Sequence, residues 1–190
     1  LTVGDITGAT ALAVQPAATD EIALSDAGTL KRLDIKHIQN TPAFAAASAA
    51  NQSITDTNYT KITFGTEILD TDGTFATSRF TPAVAGQYFI TTTVSAQQSQ
   101  GNATLGNLMA LIYKNGSVYS SGHKFNPDKY SSVSASHSDI VYLDGDDYVE
   151  IYGYGAVSTE SPQVIYNTEP AQSKALGSAT TFSGFRISGV

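Results

Sequence analysis

His37, His123 and His137, together with 17 carboxylates and no cysteine, set the chemistry open to this 190-residue chain. Without thiols it has no disulfide, no thiolate metal site and no cysteine nucleophile. None of the histidines has the H-x-x-x-H or carboxylate spacing of a zinc site. His137-Ser138-Asp139 contains the residue types of a catalytic triad, but neighbours on a strand point to opposite faces and cannot form the hydrogen-bond relay that a triad needs. Neither a nucleophile elbow nor a phosphate-binding glycine loop occurs. A carboxylate pair for glycoside hydrolysis could come from any of the 17 acids, because spatial proximity is not written in a sequence. No catalytic and no metal-ligating residue is assigned, and a non-enzymatic role is expected.

Asp70-Thr71-Asp72-Gly73 and Asp144-Gly145-Asp146-Asp147 gather the oxygen donors that a hard cation takes, yet neither completes an EF-hand loop and turn chemistry accounts for both. No cofactor is expected, with calcium as the one alternative. Asn51-Gln52-Ser53, Asn58-Tyr59-Thr60, Asn102-Ala103-Thr104 and Asn115-Gly116-Ser117 match the glycosylation sequon, as a Ser- and Thr-rich chain does by chance. Binding chemistry concentrates in three polar loops: Gln97 to Asn107, His123 to Tyr130 and Gly155 to Gly177. The middle loop interleaves His123, Lys124, Phe125, Asn126, Asp128, Lys129 and Tyr130, an aromatic platform with hydrogen-bonding groups suited to a sugar face. It is the candidate receptor-binding loop, against the plainer alternative of a solvated loop.

These residues need a scaffold, and the composition permits one. Hydrophobic residues make up 41% of the chain and charged residues 14%, enough apolar surface for a core and too little charge for disorder. A net charge of −7 offers nothing to a phosphate backbone, which excludes nucleic acid as a partner. No run of 18 apolar residues exists, so membrane insertion is not expected, and no signal peptide opens the sequence. Met109 is the only methionine, so the sequence is expected to begin inside a longer or processed product.

The 10 Tyr and 8 Phe all lie at or after Phe44. Residues 1 to 40 therefore bury little area of their own and are expected to be an extended connector. Within it, Glu21 to Ser25 and Thr29 to Ile35 alternate around the turn Asp26-Ala27-Gly28, which predicts a small β-hairpin. From residue 41 the chain shows short strands separated by Gly, Asn, Asp and Pro, as in a β-sandwich. The expected strands are 43–47, 59–64, 75–81, 87–96, 108–114, 118–122, 131–143, 148–154, 163–166 and 180–188. Asp72-Gly73, Asn115-Gly116 and Asp144-Gly145 are expected to supply positive φ at reversals. In 148–154, Val149 and Ile151 share one face while Tyr148, Glu150, Tyr152 and Tyr154 share the other. In 108–113 and 140–143 the apolar run is unbroken, which predicts burial on both faces, with a second subunit covering one of them or, as the alternative, a central strand fully covered within one copy.

The order of motifs carries a resemblance. Thr74-Phe75 through Arg79-Phe80-Thr81-Pro82, followed by Val84-Ala85-Gly86-Gln87-Tyr88-Phe89, resembles the central signature of the complement first-component q globular head. Ile112-Tyr113-Lys114-Asn115-Gly116, Val141-Tyr142-Leu143 with Gly145-Asp146 and Tyr148-Val149, and Thr181-Phe182-Ser183-Gly184-Phe185 look like its later strands in the same order, and Phe44 and Phe64 fit the opening ones. The resemblance spans Pro42 to Ser188 and implies an all-β, ten-strand jelly-roll sandwich of the tumour necrosis factor type, which usually associates as a homotrimer. Phe44, Phe64, Phe80, Tyr88, Phe182 and Phe185 are then expected in the sandwich core, and one sheet of each copy around a three-fold axis.

Asp20-Glu21-Ile22-Ala23-Leu24-Ser25-Asp26-Ala27-Gly28-Thr29-Leu30-Lys31-Arg32-Leu33 looks like a segment of tailed-bacteriophage structural and fibre proteins. No collagen-like Gly repeat precedes the head. The two resemblances together imply a virion protein. Residues 1–40 would serve assembly or attachment to other virion proteins, and residues 41–190 would form the head of a trimeric tail fibre that binds a host surface glycan or protein. Alternatives are a capsid head fibre or decoration protein, a secreted complement-q-like recognition lectin, and a glycan-cleaving fibre.

Overall fold

The computed structural model describes residues 14, 16–17, 19–35, 41–97, 105–125, 132–157, 163–164 and 180–188. No helix occurs among the described residues, and so none long and apolar enough to cross a membrane. The chain divides into two compact units, Leu1–Asn40 and Thr41–Val190.

The first unit holds an antiparallel hairpin, β1 (Glu21–Asp26) and β2 (Thr29–Asp34), in register from Glu21↔Asp34 to Asp26↔Thr29. Ala27 and Gly28 turn it with φ of 48° and 84°, the left-handed pair of a two-residue reversal. Arg32 reaches Glu21 at 3.0 Å and Lys31 pairs with Asp26, all exposed, so these ion pairs contribute little. Two strands alone are marginal in water.

The second unit is a sandwich. One sheet runs in the order β11 (Ser117–Phe125), β10 (Leu105–Lys114), β13 (Val149–Val157), β8 (Arg79–Phe80), β7 (Phe75–Ala76), with β5 (Thr60–Lys61) also on β13. The other runs β4 (Gln52–Ser53), β14 (Gln163–Val164), β9 (Gly86–Gln97), β15 (Thr181–Ser188), β3 (Ala43–Ala47), β6 (Thr66–Asp70), and β12 (Ser132–Leu143) flanks β9 along its whole length. Every pairing among the described residues is antiparallel, and β10–β11 is closed by a short turn.

The expected 75–81 strand is instead a tight hairpin, Phe75↔Phe80, turned by Thr77 and Ser78 at φ of 53° and 59°. A β-branched residue at positive φ is strained. Ser78 offsets the strain: it is buried, and its Oγ accepts the Phe64 N–H at 2.8 Å. Asn115 and Gly116 (φ 51° and 77°) and Gly73 (φ 66°) take left-handed conformations, but Gly145 does not. There the Asp147 N–H donates to the Asp144 carbonyl at 3.2 Å and the Asp147 carboxylate accepts the Asp144 N–H at 3.1 Å, a turn closed by aspartate rather than glycine. β4 and β6 were not anticipated, because Gln52–Ser53 has no apolar residue and Thr66–Asp70 is an exposed edge.

The core lies between the sheets and centres on Phe182. Its ring meets Phe44 edge-on at 4.7 Å, and Phe64 and Phe75 at 5.4 and 5.9 Å, while Phe44 stacks on Phe80 at 4.2 Å. Tyr88 joins them at 5.4 Å from Phe80 and donates its hydroxyl to the Val84 carbonyl at 2.6 Å, which satisfies the one polar atom it buries. Gly184 is required where Phe44 crosses β15: a Cβ there would stand 2.9 Å from the Phe44 ring and 2.7 Å from Ile90 Cδ1.

Phe185 departs from expectation. It is 47% exposed in the single chain, whereas Phe44, Phe64, Phe80, Tyr88 and Phe182 are buried. On one strand, residues three apart face opposite ways, so Phe182 in the core puts Phe185 on the outside.

Candidate functional site

The two unbroken apolar runs lie on different sheets and resolve differently. In β10, Leu108, Ala110 and Ile112 enter the core, while Leu111 lies on the outward side and is still only 1% exposed. It is covered within the chain. Tyr113 and Tyr152 stack with centroids 3.8 Å apart on that side, and Tyr59 and Tyr154 meet at 5.4 Å. No second subunit is needed for this run: the alternative of a strand covered within one chain holds, with Tyr152 of the neighbouring β13 opposite Leu111.

In β12, Val141 and Leu143 enter the core, but Ile140 and Tyr142 point outward and remain 52% and 39% exposed. The register places Ile140 opposite Phe89 and Phe89 opposite Phe185, which is followed by Ala43. The Phe89 and Phe185 rings pair at 5.6 Å. Ile187, 49% exposed, and Tyr142 extend this strip at one end. Toward the other end the same face carries hydroxyls in opposed pairs: Thr91 with Ser138 at 2.7 Å, Thr93 with Ser136 at 2.9 Å and Ser95 with Ser134 at 2.6 Å. Among the described residues the outward positions of β3, β9, β12 and β15 include no Asp, Glu, Lys or Arg. Exposed apolar strips of this kind mark places where a molecule meets another surface or a ligand.

Of the predicted receptor-binding loop, His123 lies exposed near the end of β11 and hydrogen-bonds Asn107. Its register with Met109, and that of Met109 with Tyr154, puts it on the outward face of the β10 sheet. Lys124 and Phe125 continue β11 opposite Leu108 and Asn107, and Asn126, Asp128, Lys129 and Tyr130 lie outside the described residues. So do His37 and most of the Gln97 to Asn107 and Gly155 to Gly177 loops. His137 Nε2 bonds Ser120 Oγ at 2.9 Å across to β11, while Ser138 turns to the other side and bonds Thr91, so the triad residue types do not converge. The Asp70 carboxylate accepts the Phe75 and Asp72 N–H groups at 2.7 and 3.3 Å, and Asp147 takes Lys114 Nζ at 2.8 Å and the Asn115 amide. Among the described residues no group of three His, Asp or Glu side chains gathers as for a metal ion.

One charged cluster escaped sequence reasoning. Glu150, on the outward side of β13 and 3% exposed, accepts Lys61 Nζ at 2.7 Å and Arg79 Nη2 at 2.8 Å. Arg79 also lies 3.8 Å over the Tyr148 ring. Burial alone would raise the Glu150 carboxyl, but the hydrogen bonds and charges of Lys61 and Arg79 outweigh it and hold it below the usual carboxylate range. Folding therefore gains from this group above its ordinary pKa near 4.5, and the gain is lost as pH falls through the depressed folded value. Glu150→Gln is expected to lower the urea midpoint at pH 7 and to flatten its decline between pH 5 and 3. An unchanged acid limb would show that the cluster is not the titrating group. The distant partners Lys61 and Arg79 sit on β5 and β8, and only the sheet order brings them together.

No family model matches the sequence, and no curated protein matches it. Solved structures do. The chain is similar to the globular domain of zebrafish complement 1qA protein, with a TM-score of 0.55 and 19% identity over 78% of this chain and 99% of that one. Murine APRIL at pH 5.0 aligns with a TM-score of 0.53 and 9% identity over 78% and 100% of the two chains. The Eiger TNF from S. frugiperda aligns with a TM-score of 0.54 and 5% identity over 80% and 96%. The fold is thus the all-β jelly-roll sandwich of complement 1q and tumour necrosis factor domains.

Proposed function

We propose that residues 41–190 form a homotrimeric recognition head, non-enzymatic, at the end of a bacteriophage fibre whose connector, residues 1–40, joins other virion proteins. The observation that carries this is the strip around Phe89, in which one chain leaves Ile140, Phe185 and Ile187 exposed to water. Three copies clasped through it would bury the strip and leave the loops at one end of three rigid sandwiches facing a host surface. Contacts that are weak singly then gain from multivalency. The likeness to complement 1q and tumour necrosis factor domains supports a self-associating recognition domain. The fibre setting rests on the resemblance of Asp20 to Leu33 to phage fibre segments, and the hairpin there, marginal alone, suits an assembly role.

Labelled antibody and electron microscopy of intact particles should place the protein on a tail fibre tip, and the purified chain should compete with infection of susceptible cells. Label on the capsid surface would instead assign a head fibre or decoration protein. Trimers that bind no susceptible cell would contradict host attachment.

A further inference from the structure

Five of the 10 tyrosines, Tyr59, Tyr113, Tyr148, Tyr152 and Tyr154, gather on the outward face of the β10–β13 sheet, around Lys61, Arg79 and Glu150. We infer that this face binds an acidic saccharide, a glycan bearing carboxylate groups. The inference rests on the recognition role proposed above and names the ligand class for it.

Three features of the face select that ligand. The first is charge: Lys61 and Arg79 surround a single carboxylate and leave a local excess of one positive charge in a chain whose net charge is −7. Both cations are partly open, with side chains 33% and 40% exposed, so an anion can reach them without displacing Glu150. The second is the kind of surface. Tyr113 is 8% exposed and packed against Tyr152, so little broad apolar area is offered to a protein partner. Tyr59, 53% exposed, presents a ring to the C–H face of a sugar, and phenol hydroxyls can pair with a polyhydroxylated chain. The third is rigidity: ring stacking, the cation over Tyr148 and the Glu150 ion pairs hold the groups in place before binding, which reduces the ordering cost. The face is continuous with His123 through Met109 and Tyr154, so a glycan of several residues could span both.

The test titrates the full chain with an α-1,4-linked galacturonic acid hexamer and with the same hexamer reduced to its neutral alcohol, followed by calorimetry and by amide shift mapping. The acidic hexamer is expected to bind and to move amides of β10, β13 and β5, with the neutral form at least about tenfold weaker. Tyr59→Ala, at an exposed ring, should weaken the acidic hexamer about tenfold and leave the fold intact. Phe185→Arg, on the other sheet, should leave the affinity per chain unchanged, so a failure of assembly and a failure of this site read out separately. No binding at millimolar hexamer, equal affinity for the two forms, or indifference to Tyr59→Ala would overturn the inference.

Discussion

A head carrying Phe185→Arg is expected to sediment as a folded single chain where the unaltered protein is expected to sediment as a trimer. Phe185 is 47% exposed in one chain and among the described rings pairs with Phe89 at 5.6 Å, on the side away from the core, so an arginine there leaves the core aromatic cluster in place. In the proposed trimer the same position would face a neighbouring copy across the Ile140–Phe89–Phe185 strip. Three guanidinium groups would then be drawn out of water with no carboxylate at the described outward positions of β3, β9, β12 and β15 to meet them. A buried unpaired charge costs several kcal/mol, roughly 3–5 in measured cases, so each one weakens association by about a hundredfold to a few thousandfold. Velocity sedimentation reads the loss of association, and far-ultraviolet circular dichroism reads the retained fold. A variant that remains trimeric would place the contact elsewhere.

Phe182→Ala should do the opposite. Its ring touches Phe44, Phe64 and Phe75 in the middle of the sandwich and is wholly buried. Removing an aromatic side chain from such a site costs about 3–5 kcal/mol, of the 5–15 kcal/mol that holds an ordinary domain. Equilibrium urea unfolding should show the midpoint falling by a large fraction with little change in slope. Two phenylalanines three residues apart on one strand thus separate stability from assembly. A loss below about 1 kcal/mol would mean that the aromatic cluster repacks around the gap.

Much of this was legible because strand signals are local. β3 fell on the expected residues, and β9, β10, β11, β12 and β15 lay within a few residues of theirs, since apolar alternation and Asn-Gly or Asp-Gly reversals are written in adjacent positions. The misses have two causes. Phe185 was assigned to the core by motif, although the odd spacing from Phe182 already forbids one face for both. The Leu108 to Tyr113 run was assigned to a second subunit because the sequence does not say that Tyr113 and Tyr152 stand in adjacent strands. Glu150, Lys61 and Arg79 come from three strands and meet only through sheet order, so no spacing rule could have joined them. The candidate loop was visible as composition, but of its residues only His123 has a described side-chain setting.

The most direct measurement is sedimentation equilibrium of the unaltered chain at low micromolar concentration and pH 7. Three chains per particle, without single chains until well below that concentration, is the predicted result, because the uncharged strip on β9, β12 and β15 is then covered. A well-folded single chain at the same concentration would contradict it.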